Sequence, residues 1–260
     1  LSFLTPYFEE TFKFDDNFFE IKLKDTILTW VEKEQSFRIK LQGIRATAPS
    51  GKIIAQIPEL AISLSGEALL KGELAPKSLG IFGPSLNIVR TEGGKLKLGL
   101  TNYSNDDDLE QVTNQDLIDG IFGQLFSPIN VAQPLGYLRR IDVFSADVTI
   151  HDRELDIKWR APETDLVLTR KGESVNVFAK LALKSNDSLV SETATINLIG
   201  DYSINQNMAQ ITVGFSDLNP VILVPLSPKL KTLENFNLPL SGDVNLVVQK
   251  DGEVKKVKFN

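Results

Sequence analysis

A mainly β fold joined mostly by hairpins is predicted by three features of this sequence. Apolar and polar residues alternate with a period of two along most of the chain, which puts successive side chains on opposite faces of a sheet. Turn signals, Arg170-Lys171-Gly172-Glu173 and Lys250-Asp251-Gly252-Glu253 among them, separate the alternating runs as hairpins require. Helical periodicity is confined to a few short stretches.

The elements follow in order. Thr5 and Pro6 open a helix with Glu9 and Glu10 in its first turns, and Phe3, Leu4, Tyr7, Phe8 and Phe12 fall on one side of it. This helix is read as capping one end of the core, because a membrane-surface helix calls for a basic polar face and this one is acidic. Phe19, Ile21 and Leu23, then Phe37, Ile39 and Leu41, then Leu60, Ile62 and Leu64 alternate with polar neighbours. Ser65 to Gly72 holds helix formers closed by a glycine, a short helical turn. Leu79 and Ile81, Leu86 and Ile88, and Leu96, Leu98 and Leu100 resume the strand rhythm. A polar break at positions 101–108 marks a subdomain boundary, after which Leu117, Ile118, Ile121, Phe122, Leu125 and Phe126 recur as on one amphipathic helix ended by Pro128. From Tyr137 onward eight further strands are predicted, over Phe144–Ile150, Leu155–Trp159, Asp165–Thr169, Ser174–Leu183, Thr193–Ile204, Ala209–Phe215, Leu240–Val248 and Val254–Phe259. About fourteen strands at ~4.8 Å each extend roughly 65 Å, and a sheet that long must curl, split or close. The organisation expected is a helix over 1–14, a first β block over 15–100, a polar loop and helix over 101–136, and a second β block over 137–260.

Composition narrows the function. The chain has 260 residues, 42% of them hydrophobic and 24% charged, which is globular. A net charge of −6 argues against nucleic acid as a partner, because phosphate neutralisation needs a cationic surplus. Leu138-Arg139-Arg140 is a local basic cluster, read as a solvated strand end. Cysteine is absent, so thiolate metal sites, disulfides and cysteine nucleophiles are excluded. No run reaches the ~18 to 20 apolar residues of a spanning helix. The first residue is Leu, and the alternation continues into the last residues, so the native chain is expected to extend beyond both ends.

Catalytic chemistry finds no foothold. His151 is the single histidine, and without a second His or a Cys it makes a poor transition-metal site, so it is read as structural or solvated. Neither a GxSxG elbow nor a phosphate-cradling glycine loop occurs. Asp106, Asp107 and Asp108 lack the alternating spacing of a calcium loop, and Asp142, Asp147, Asp152 and Asp156 have mixed parity and read as solvent-side residues. Carboxylates are numerous enough that a paired-acid hydrolase stays open as a third reading.

The apolar strand face is then the functional feature. It is covered either by the sheet itself, as a sandwich or barrel, or by a hydrophobic ligand in an open groove. Positions 29–100 resemble the amino-terminal part of the bacterial AsmA-like superfamily, the YhdP- and TamB-like bridge-like lipid transfer proteins. The resemblance is carried by the strand at Ile57–Ser65, the Leu-Leu-Lys-Gly turn at 69–72, the Gly-Pro-Ser-Leu-Asn-Ile-Val-Arg strand at 83–90 and the glycine turn into a leucine-alternating strand. Positions 141–172 resemble a second block of the YhdP-like branch. The resemblance implies a long, highly curved antiparallel sheet forming a taco-like groove, periplasmic and anchored to the inner membrane by a helix preceding Leu1. It further implies no enzymatic activity and no cofactor or metal. The groove would conduct phospholipid between inner and outer membranes, with acyl chains as partners and contact with envelope proteins. The lipid-binding floor expected is Ile39, Leu41, Ile62, Leu64, Leu86, Ile88, Leu96 and Leu98 from the first block, with Val148, Ile150, Val177 and Leu181 from the second. The alternative is a non-catalytic envelope scaffold, a partner-binding β-sandwich without lipid.

Overall fold

The computed structural model describes residues 20–32, 36–47, 53–90, 96–99, 123–133, 135–153, 157–184, 193–221, 224, 228–249 and 254–259. The helix expected at 5–12, most of that at 117–126 and the polar stretch at 101–108 lie outside the described residues. So do the side chains of Leu96 and Leu98.

The first seven strands are β1 (Glu20–Lys22), β2 (Asp25–Val31), β3 (Ser36–Thr47), β4 (Ile53–Leu64), β5 (Pro76–Phe82), β6 (Ser85–Arg90) and β7 (Leu96–Gly99). The next seven are β8 (Arg140–Asp152), β9 (Ile157–Lys171), β10 (Ser174–Lys184), β11 (Thr193–Ser203), β12 (Met208–Leu218), β13 (Leu240–Gln249) and β14 (Val254–Phe259). All fourteen belong to one open, mixed sheet, so no second sheet packs on it among the described residues. From β8 to β14 it is an antiparallel meander of sequential neighbours.

The sheet is not antiparallel throughout, as the sequence had suggested. β5 and β6 both run parallel to β8 and divide its length between them, Ser78–Phe82 lying along Arg140–Phe144 and Ser85–Arg90 along Asp147–Asp152. A hairpin cannot make such a pair, whereas the long connection over positions 100–139 can. Between β5 and β6 the chain turns at Gly83, whose φ of +64° suits glycine, and at the buried Pro84. The Gly83 amide donates to the Phe144 carbonyl at 2.9 Å, tying this corner to β8.

β9 replaces two expected strands. Pro162 lies within its 15 residues and would break a central ladder, since it has no N–H to give. It survives because β8 bulges opposite it, the register shifting between Val143, Ala146 and Val148 around Ser145 at φ 51°. The Ser145 amide donates to the Asp165 carboxylate at 2.9 Å. β2 is a strand the alternation did not announce, because Ile27, Thr29 and Val31 put β-formers on the face opposite Thr26, Leu28 and Trp30.

The helical turn expected at 65–72 is present as α1 (Gly66–Leu70). Ser65 caps it, its hydroxyl accepting from the Ala68 amide at 3.3 Å, and Gly72 ends it at φ +78°. Ala68 packs with Ala75 and Tyr137. A 3-10 helical segment spans Pro228–Asn235 between β12 and β13.

The stretch 123–139 folds across the end where β8 starts and β9 finishes. Leu125 and Leu138 are buried, and Phe126 meets Tyr202 edge-on at 5.5 Å. Arg170 donates to the Ser127 carbonyl, and Tyr137 bridges to α1 through Lys71 at 3.1 Å and Glu73 at 3.3 Å. The lysine's pKa is raised, chiefly by the Tyr137 hydrogen bond and then by Glu67. Gly136 is the tight point, for a Cβ there would overlap the backbone of Asn130 and Val131. Gly136→Ala is expected to destabilise the protein by about 1 to 3 kcal/mol, measured as a lowered urea midpoint with unchanged slope.

Candidate functional site

Directly paired residues on neighbouring strands share a sheet face, so the register assigns every paired side chain to one side or the other. One line of partners runs Leu28, Ile39, Ile62, Leu79, Ile141, Leu168, Val177, Gly200, Ile211, Leu246, Val257, across eleven strands from β2 to β14. A second runs beside it from Leu41 through Leu60, Ile81, Val143, Leu166, Ala179, Leu198, Val213 and Val244 to Phe259. Neither row contains a polar or charged side chain. Eleven strands at ~4.8 Å spacing carry the first row roughly 48 Å along the sheet, against about 15 Å for the hydrocarbon of one bilayer leaflet.

Burial is uneven along this face. Leu41 is 1% exposed, Val148 4% and Ile39 9%. Ile62, Leu64, Leu86, Ile88, Ile150, Val177 and Leu181 are half-buried, as are Ile211, Val213, Val244 and Leu246 on the last strands. At the two outer strands the rows come into the open: Leu28, Trp30 and Phe37 on one side and Val257 and Phe259 on the other are exposed. Val143, Ala146, Val148, Ala161 and Ala194 form a cluster against which Leu86, Ile88, Ile150 and Leu181 pack. Thus seven of the expected floor residues lie half-open to solvent while Ile39, Leu41 and Val148 are closed in. Leu98 is known by its register alone, opposite Ile88, and Leu96 likewise opposite Arg90.

The strands that extend this face beyond Leu181, namely β11 to β14, contribute Ile196, Leu198, Ile211, Val213, Leu246 and Val257, none of which was among the expected floor residues. Their signal was present as plain alternation.

The opposite face is more polar and laced with pairs, though Val167, Phe178 and Ile199 lie side by side on it across β9, β10 and β11, the last two exposed. Lys40 meets Glu59 at 3.1 Å, Arg38 donates to the Ser63 hydroxyl at 3.3 Å and Thr212 to the Asn245 side-chain carbonyl at 2.7 Å. Two of the aspartates read as solvent-side have partners: Arg140 grips Asp142 with both contacts at 2.7 Å, and Arg160 holds Asp147 at 2.8 and 3.1 Å. Both arginines have raised pKa values from these hydrogen bonds. Phe82 and Phe144 stack at 5.1 Å on the same side.

Among the described residues no group of three or more His, Cys, Asp or Glu is placed to hold a metal ion, and no helix is long and apolar enough to cross a membrane. In comparison with known proteins, no family model matches the chain, and no curated protein or solved structure matches it significantly.

Proposed function

We propose that the apolar face is completed by hydrocarbon from outside the chain, and that the protein conducts phospholipid along a curved β groove in the manner of the AsmA-like proteins its sequence resembles. The observation that carries this reading is the pair of apolar rows, one running from β2 to β14 and the other from β3 to β14, on a sheet with no second sheet over it among the described residues.

Hydrophobic transfer gives the mechanism its scale. Exposing a lipid tail to water costs ~0.8 kcal/mol per methylene, so about fifteen methylenes cost on the order of 12 kcal/mol. A floor of Leu, Ile and Val removes most of that cost wherever the tail lies. Because the rows offer only apolar side chains or glycine from β3 to β14, no polar group along them traps a tail, and transport is one-dimensional diffusion. Head groups stay in water along the open side. In this reading the protein works in the periplasm between two membranes.

The rival reading, an envelope scaffold that binds a protein partner and no lipid, draws on the closed-in Ile39, Leu41 and Val148. Organic extraction of the purified protein followed by lipid mass spectrometry separates the two. Phospholipid in stoichiometric amount is expected, together with a melting temperature that rises on adding lipid. A lipid-free protein indifferent to added lipid would establish the scaffold instead.

A further inference from the structure

Between β12 and β13 the chain holds apolar side chains out in water. Every residue from Glu234 to Ser241 is exposed, and three of them are large and apolar: Phe236 at 56%, Leu238 at 66% and Leu240 at 44%. No charged residue falls between Glu234 and Asp243. Transfer of each such side chain out of water is favourable, so three within five residues form a surface that gains by being covered.

The tip is held in shape from both flanks. The Phe236 amide donates to the Leu233 carbonyl at 2.9 Å, at the end of the 3-10 segment. Asn219, which is buried, donates through its side-chain amide to the Asn237 side-chain carbonyl at 2.7 Å. The Asp217 amide donates to the Ser241 hydroxyl at 3.1 Å, and Leu240 stands opposite Leu218 in the ladder. Pro239 restricts the backbone between them. A loop tied in this way presents its side chains with little ordering left to lose on binding.

Size, charge and continuity decide what the tip meets. A stable protein partner needs about 20 to 30 residues a side, whereas this tip offers three large side chains. It carries no lysine or arginine to seek an anionic surface, and an uncharged apolar tip suits the interfacial layer of a neutral bilayer. On β13, Leu240 shares its parity with Val244 and Leu246 of the apolar rows, with Gly242 between, so nothing polar separates the tip from the apolar face along that strand. We infer that Phe236, Leu238 and Leu240 enter the interfacial layer of a bilayer, and that acyl chains pass there between the membrane and the apolar face. The passage of acyl chains rests on the proposed function; the membrane contact does not.

The test uses the whole chain with phosphatidylcholine vesicles, followed by flotation at low and high salt. The Phe236→Ser, Leu238→Ser double variant is compared with Leu70→Ser, Leu74→Ser, which removes two side chains 92% and 72% exposed at α1, and circular dichroism verifies folding. Flotation that resists salt and weakens about tenfold or more in the first double variant, but not in the second, is expected. The chain has no cysteine, so Leu238→Cys carries a single environment-sensitive dye, whose emission is expected to move to the blue on adding vesicles. A parent chain that does not float, equal flotation of parent and tip variant, or an unmoved dye overturns the contact. So does a sedimenting mass that falls in the tip variant without vesicles, which would make the tip a contact between copies. Phospholipid in the organic extract with a tip that stays in water removes the entry point and leaves the conduit; a tip that enters vesicles with a lipid-free extract keeps the contact and removes the conduit.

Discussion

Ile211→Asp is expected to remove most of the phospholipid that the proposed function places on the apolar face, while leaving the protein folded. Ile211 is the ninth of the eleven residues in the longer apolar row, half-buried, between Gly200 and Leu246. An ionised carboxylate placed against hydrocarbon costs several kcal/mol even after relaxation, and each 1.4 kcal/mol is tenfold in occupancy, so a fall of about tenfold or more follows. Because Ile211 is only half-buried in the chain itself, the loss of stability is smaller than for a core position. The neighbour Gln210 points to the other face and is exposed. Gln210→Asp therefore adds the same charge one residue away and is expected to change lipid content little. Equal lipid in the parent and both variants, by mass spectrometry of the extracts, would remove the apolar face from the function.

The second large effect is on stability. Leu41→Ala is expected to cost about 2 to 5 kcal/mol, the range for deleting a buried leucine side chain. For a chain of this size each kcal/mol shifts the melting temperature by about 2 to 4 °C, so a drop on the order of 10 °C is the expected calorimetric reading. Leu41 is 1% exposed and sits between Thr26 and Leu60 on the neighbouring strands. Ile62 in the adjacent row is half-buried, and Ile62→Ala is expected to cost distinctly less. If the two variants melt together, the division of this face into closed and open positions is wrong.

Much of the fold was legible because strand parity is a local property. Ile39 and Leu41, Ile62 and Leu64, and Leu86 and Ile88 declare their common face within a few residues, and α1 declares itself by Ser65 and Gly72. Three features were not legible. Two strands, Leu155–Trp159 and Asp165–Thr169, were expected where β9 runs through Pro162, since the bulge that accommodates the proline is made around Ser145 on another strand. The parallel junction of β5 and β6 with β8 is set by where the chain over 100–139 returns, which no alternation records. Leu41 and Ile62 carried the same signal although one is closed in and the other half-open, because burial depends on neighbours contributed by distant strands.

The cations gathered at the strand ends teach the same lesson. In sequence, Arg139 and Arg140 are a two-residue patch at a strand end; in space Arg38, Lys77, Arg170 and Lys171 join them, and Asp142 pairs with Arg140. By itself the amino-acid sequence determined the β class, the parity of its strands, the short helical turn and the absence of cysteine chemistry, all of which follow from spacing or composition. Only the tertiary structure decided strand order, the parallel seam, the depth of each apolar side chain and the gathering of charge from positions 38 to 171. The physical reason is that a period of two says which way a side chain points, whereas what it meets there is fixed by long-range pairing of strands.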